Sequence, residues 1–116
     1  GHTSCGAIKG ACDDVKLGNL TKLLAHFKPA IAAVTEPADS ADRNSKNAEF
    51  VQRVADTNVH LMAQKLLNES EVLQEMVDNG EIDIVTAMYD ITSGKVEFAR
   101  LNGDCVAPHP MMLNDK

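Results

Sequence analysis

Apolar residues recur at spacings of three and four along much of the first two thirds of the chain. Leu20, Leu23, Leu24, Phe27, Ile31 and Val34 line one face of a helical pattern running from about Leu17 to Val34. Pro29 falls inside it. Proline lacks an N–H and crowds the preceding turn, so it predicts a kink or a join between two helices. Before this stretch, Thr3 to Cys12 is small and rich in Gly and Ala, a loop turning into a short, tightly packed helix that Asp13-Asp14 interrupts. After it, Glu36 to Asn47 is polar and reads as an exposed loop. Asn47 is placed to cap a helix from about Ala48 to Leu67. The stripe of that helix is Val51, Val54, Ala55, Asn58, Met62 and Leu66, widened by Phe50, Val59 and Leu61. Asn68 with Glu71 resembles a capping box for a shorter helix through about Asp78, which Asn79-Gly80 stops.

The periodicity then changes from helical to extended. Ile82 to Tyr89 is β-rich and apolar at its centre, while Lys95 to Leu101 alternates polar and apolar. Asp90-Ile91-Thr92-Ser93-Gly94 joins them as a hairpin connection, with Gly94 supplying the positive φ of a bulged turn. The first strand reads as central and the second as an edge. Asn102-Gly103-Asp104 and Pro108-His109-Pro110 oppose regular structure, so 102–116 is expected to be an irregular tail after a domain covering 1–101. Two strands cannot cover this many amphipathic helices, and a lone hairpin is marginal in water. A near-continuous apolar strand also calls for neighbours on both sides. The pattern therefore predicts an α/β chain, helix-rich with a C-terminal β-hairpin, forming the second half of a domain whose earlier strands lie elsewhere or come from another chain.

Composition narrows the function classes. At 116 residues the chain is at most one domain. Its aromatic fraction is only 3%, so a core must rest on Leu, Val, Ile, Ala and Met. A net charge of −6 argues against a nucleic-acid partner. No apolar run approaches the ~20 residues of a membrane span, and no signal peptide is visible. Three cysteines, Cys5, Cys12 and Cys105, make a poor disulfide framework; reduced thiols with at least one on a metal fit better. Cys12 reads as a small buried hydrophobe.

The chemistry is concentrated in Gly1-His2-Thr3-Ser4-Cys5-Gly6-Ala7. It sets an imidazole and a thiol three residues apart, and both are good zinc ligands. A leading Gly-His with a cysteine near it carries little weight alone; its weight comes from the segments that follow. His26 and His60 sit in helical patterns and read as surface or boundary residues. Cys105 and His109 form a Cys-x3-His pair, but they lie in a tail expected to be loose, a poor frame for a metal site. Tyr89 and Asp90 read as strand-end packing and turn chemistry, and the acidic clusters as solvated faces.

Gly1 to Ala11 resembles the second zinc-ligand motif of β-class carbonic anhydrases. Leu17-Gly18-Asn19-Leu20-Thr21, Asn58-Val59, and Ala87-Met88-Tyr89-Asp90 with Ser93-Gly94-Lys95-Val96 are similar, in order, to later segments of the same family. The resemblance runs from Gly1 to about Leu101 and implies the C-terminal half of a β-carbonic anhydrase-like parallel-sheet domain. It implies a zinc lyase interconverting carbon dioxide and bicarbonate, in which zinc-activated hydroxide attacks carbon dioxide. By motif, His2 and Cys5 are two of the three protein ligands. The third lies in a Cys-x-Asp-x-Arg motif whose Asp and Arg guide the metal-bound water, and this chain contains no such motif, so no catalytic residue is assigned within it. Gly6, with Ala7, opens a helix whose amides are placed to hold the substrate anion beside the metal. The family's sites form at a dimer interface, which implies a homodimer or higher homo-oligomer. Two alternatives remain: a catalytically inactive fragment or pseudo-enzyme acting through oligomerisation, and a hydrolase of the same fold acting on carbonyl sulfide or carbon disulfide. The compartment, cytoplasmic or periplasmic, stays open.

Overall fold

The computed structural model describes residues 1–101 and the backbone of 105–106. Its first helices follow the apolar pattern closely. Gly6–Cys12 forms α1, Gly18–Ala25 α2 and Lys28–Ala33 α3. Pro29 sits in the first turn of α3, where its missing N–H costs nothing, so it marks a join and not a kink. Between α3 and α4 lies a single 3-10 turn, Ser40–Asp42. The 22-residue α4, Ala48–Glu69, opens under an Asn47 cap whose side-chain oxygen accepts from Phe50 N at 3.2 Å.

Two expectations in the helical part need correction. The shorter helix, α5 (Glu71–Asp78), is capped by Ser70, whose Oγ accepts from Leu73 N at 3.2 Å. Asn68 instead lies inside α4, which runs on to Glu69. The loop from Glu36 to Asn47 is also less open than its polarity suggests. Arg43 is half-buried, and its guanidinium donates to the carbonyls of Ile31 at 2.8 Å, Val34 at 2.6 Å and Pro37 at 3.0 Å. It lies 4.7 Å from the centre of the Phe50 ring. One cation thus satisfies the unpaired carbonyls at the end of α3 and ties the loop to α4.

The core lies among α1, α3 and α4. Ile8, Ala30, Val34, Phe50, Val51, Val54 and Ala55 form one buried cluster, with Phe50 and Val54 fully enclosed. Predicted stripe members Leu20, Leu23 and Leu66 are exposed.

The strands are β1 (Val85–Tyr89), β2 (Val96–Arg100) and the two-residue β3 (Cys105–Val106), all antiparallel in the order β1-β2-β3. Gly94 has the expected positive φ, 77°, and the turn closes with Asp90 N to Lys95 O at 2.8 Å. Both strands are shorter than predicted, and β2 is flanked on both sides over part of its length rather than forming an edge, because the tail contributes β3. Strand β1 also has a second neighbour. Gly1 to Thr3 run parallel to it: the Gly1 amino group donates to Ala87 O at 3.0 Å, Tyr89 N to Gly1 O at 2.9 Å and Thr3 N to Tyr89 O at 2.9 Å. The seam is tight, since a Cβ on Gly1 would lie 2.5 Å from Val59 Cγ2 and 2.8 Å from Met88 Cε.

Candidate metal centre

The parallel seam carries the chain out of the sheet directly into the stretch that holds the candidate ligands His2 and Cys5. His2 pairs with Tyr89 as an isolated parallel bridge. Ser4 then turns the backbone at φ 52°, and Cys5 is the N-cap residue of α1 in extended conformation. Both candidate ligands therefore lie on one short turn between the end of a strand and the start of a helix. His2 is exposed and Cys5 half-buried.

The His2 ring is oriented. Its Nδ1 lies 2.8 Å from the carbonyl oxygen of Thr3. A carbonyl can only accept, so this contact requires the proton on Nδ1, and in the neutral ring that leaves the Nε2 lone pair free. Histidines that bind metal through one ring nitrogen generally have the other held by such an acceptor. Thr3 is itself fixed. Its N–H donates to Tyr89 O, its Oγ1 accepts from Ile91 N at 3.1 Å, and the same hydroxyl lies 3.5 Å from Asp90 Oδ1. Asp90 also accepts from Thr92 N at 2.9 Å and Ser93 Oγ at 3.0 Å. These bonds, the Thr92 amide foremost and then the Ser93 hydroxyl, hold its carboxyl below the usual carboxylate range. Asp90 therefore does more than shape a turn: it joins the hairpin to the residue beside His2, a role that reading the hairpin in isolation missed.

As a donor set, His2 and Cys5 fit zinc: an imidazole with Nε2 available and a sulfur three residues on. They are two donors, and among the described residues no group of three or more His, Cys, Asp or Glu side chains is placed to hold a metal ion. Gly6 is exposed at the first position of α1, and a Cβ there would meet nothing within 4 Å. Packing does not demand the glycine; the space beside Cys5 is open.

The other candidates lie apart from this turn. His26 is the exposed C-cap of α2, and His60 lies on α4, lining a cleft of ≈ 240 Å³ with Asp56, Met88, Phe98 and Arg100. Burial, and then the Asp13 carboxylate, push the Cys12 thiol up to about 11 despite nearby Arg43, so near neutral pH it stays protonated and a poor ligand. The side chains of Cys105 and His109 lie outside the described residues.

Comparison with known proteins bears on the family and the fold. The sequence profile of the family described as "Carbonic anhydrase" matches residues 1–96. Among solved structures, the chain is similar to the β-carbonic anhydrase CcaA, with a TM-score of 0.70 at 20% identity; the match covers 99% of this chain and 53% of that one. The chain thus spans about half the length of that relative, and the likeness shows the fold. Comparison with curated proteins returns no match. A profile match over most of the chain, on a helix-rich fold shared with a β-carbonic anhydrase, establishes that this chain belongs to the carbonic anhydrase family.

Proposed function

We propose that this chain forms part of a zinc-dependent enzyme that interconverts carbon dioxide and bicarbonate, with His2 and Cys5 as two of the metal's protein ligands. The observation that carries the reading is the His2 ring, locked by the Thr3 carbonyl in the tautomer that presents Nε2. Bound zinc supplies a Lewis acid that makes water nucleophilic near neutral pH. The chain's own contribution is placement. The parallel seam and the turn at Ser4 set His2 and Cys5 on one short stretch of backbone, and the open space at Gly6 gives a small anion room beside Cys5. The remaining donor, and the Asp and Arg that guide water, come from a Cys-x-Asp-x-Arg segment in sequence beyond this chain. The reading includes a homo-oligomer, supported by the apolar side chains of Leu17, Leu20 and Leu23 exposed on and beside α2.

Zinc content and carbon dioxide hydration test the reading together. Zinc that binds the chain and is lost in both His2→Ala and Cys5→Ser, with hydration appearing when a Cys-x-Asp-x-Arg segment completes the domain, is the expected result. Zinc binding indifferent to both substitutions, or a completed domain that loads zinc and leaves carbon dioxide untouched, would overturn it. In the latter case, turnover of carbonyl sulfide or carbon disulfide would identify the hydrolase of the same fold.

A further inference from the structure

Resting on the reading of His2 as a ligand, we propose that Thr3 is a positioning residue: strapped by its hydroxyl to the Asp90 turn, it holds the His2 imidazole as the Nδ1–H tautomer with Nε2 free to bind. The geometry makes the link continuous. The carbonyl that receives Nδ1–H belongs to Thr3. The backbone of Thr3 is tied to the end of β1 through Tyr89 O. Its side chain is tied one step further along, accepting from Ile91 N at 3.1 Å and reaching Asp90 Oδ1 at 3.5 Å. The longer of these contacts is weak by itself. Its partner is not free to drift, because Asp90 is held by the Thr92 amide and the Ser93 hydroxyl inside the same turn. Thr3 is thus held by its N–H and by its side chain, which anchors the Cα from which its carbonyl departs toward His2.

The consequence is chemical. An imidazole side chain released from such an acceptor favours the Nε2–H tautomer, in which the nitrogen meant for the metal carries a proton. A hairpin turn some 87 residues along the chain from Thr3 thereby sets whether His2 is ready to bind. Asp90 acts through Thr3, by its contact with the Thr3 hydroxyl and by the turn it holds, and touches neither ligand.

The test reads the ring of His2 in the metal-free chain by long-range nitrogen–proton NMR. The wild type should show Nδ1–H. Thr3→Val keeps the backbone carbonyl and the strand preference while removing the hydroxyl; it should shift the ring toward Nε2–H, and Thr3→Ser should restore it. Zinc affinity should fall about 10-fold or more in Thr3→Val, a usual loss for a partner of a ligating histidine, and stay near wild type in Thr3→Ser. If Thr3→Val fails to fold, Asp90→Ala provides the same readout with a smaller shift. A folded Thr3→Val with an unchanged tautomer, or a Thr3→Ser as impaired as Thr3→Val, would overturn the proposal. If zinc leaves the wild-type His2 ring signals unmoved, the ligand reading fails, and the tautomer comparison still decides the role of Thr3.

Discussion

The helical and sheet halves of this molecule are built to different degrees of completion. Every buried side chain among the described residues lies between Ile8 and Ala63, in or beside α1 to α4. From Gln64 to Leu101, through α5 and both hairpin strands, none is buried. α5 is amphipathic yet leaves Val72 exposed, and β1 and β2 leave Tyr89 and Val96 in contact with solvent. Both halves leave apolar side chains exposed, Leu17 and Leu23 in the one and Val72 and Ile91 in the other, but the helical half has closed a core of its own and the sheet half has closed none. The candidate metal ligands, His2 and Cys5, sit where these halves meet. Stability and site assembly are therefore separable, and substitutions should divide accordingly.

The largest effect should come from the helical half. Phe50→Ala removes a fully enclosed ring and the face over which Arg43 lies, and should cost about 3–5 kcal/mol in denaturant unfolding. A cost below 1 kcal/mol would mean that this core is not where the chain holds together. The seam should come next. Gly1→Ala forces a Cβ against Val59, whose branched side chain is stiff in a helix, and should cost about 1–3 kcal/mol while loosening the pairing of His2 with Tyr89. Amide exchange at Thr3 and Tyr89 would register that loosening before global unfolding does.

Acid titration probes a smaller tie within the helical half. Asp13 accepts from the Ser45 hydroxyl and amide, and these bonds lower its carboxyl from 3.8. A carboxyl lowered by folding stabilises above its unfolded value and loses that contribution as pH falls toward the folded one. Unfolding followed from pH 6 to pH 2 should show Asp13→Asn less stable than wild type near neutrality, with the gap closing below about pH 4. Equal separation throughout would assign the loss to packing instead. The smallest effect is expected in the sheet half, where Val72→Ser on exposed α5 should stay within about 0.5 kcal/mol. A larger loss would show that α5 is covered in solution, making the sheet half as closed as the helical one.

What was legible in the sequence follows the same division. Local signals translated directly into structure. The spacing of Val51, Val54 and Ala55 gave the buried face of α4, Pro29 divided two helices, Asn47 capped, Asn79-Gly80 ended α5, and Gly94 turned the hairpin. Asn68 and Ser70 competed for one cap, and the choice depended on how far α4 continued, which neither residue announces. Arg43 looked like one more charge in a polar loop, because nothing local says that three carbonyls converge on it. The candidate ligand pair, His2 and Cys5, was legible as a motif. What orients it was not, since the partners of Thr3 lie on the far side of the fold.

The pairing of Gly1 with Ala87 also determines when the proposed centre can form. A contact separated by 86 residues closes a loop whose entropic cost is about 4 kcal/mol from its length alone. Helices form from near neighbours in about a microsecond, and contacts this distant are made late. During synthesis, His2 and Cys5 emerge long before the hairpin that steadies them. A histidine and a thiol on an unpaired strand are open to any passing metal and to oxidation. Assembly of the proposed centre is thus expected to be a late event, completed when Tyr89, Asp90 and Ile91 arrive beside Thr3.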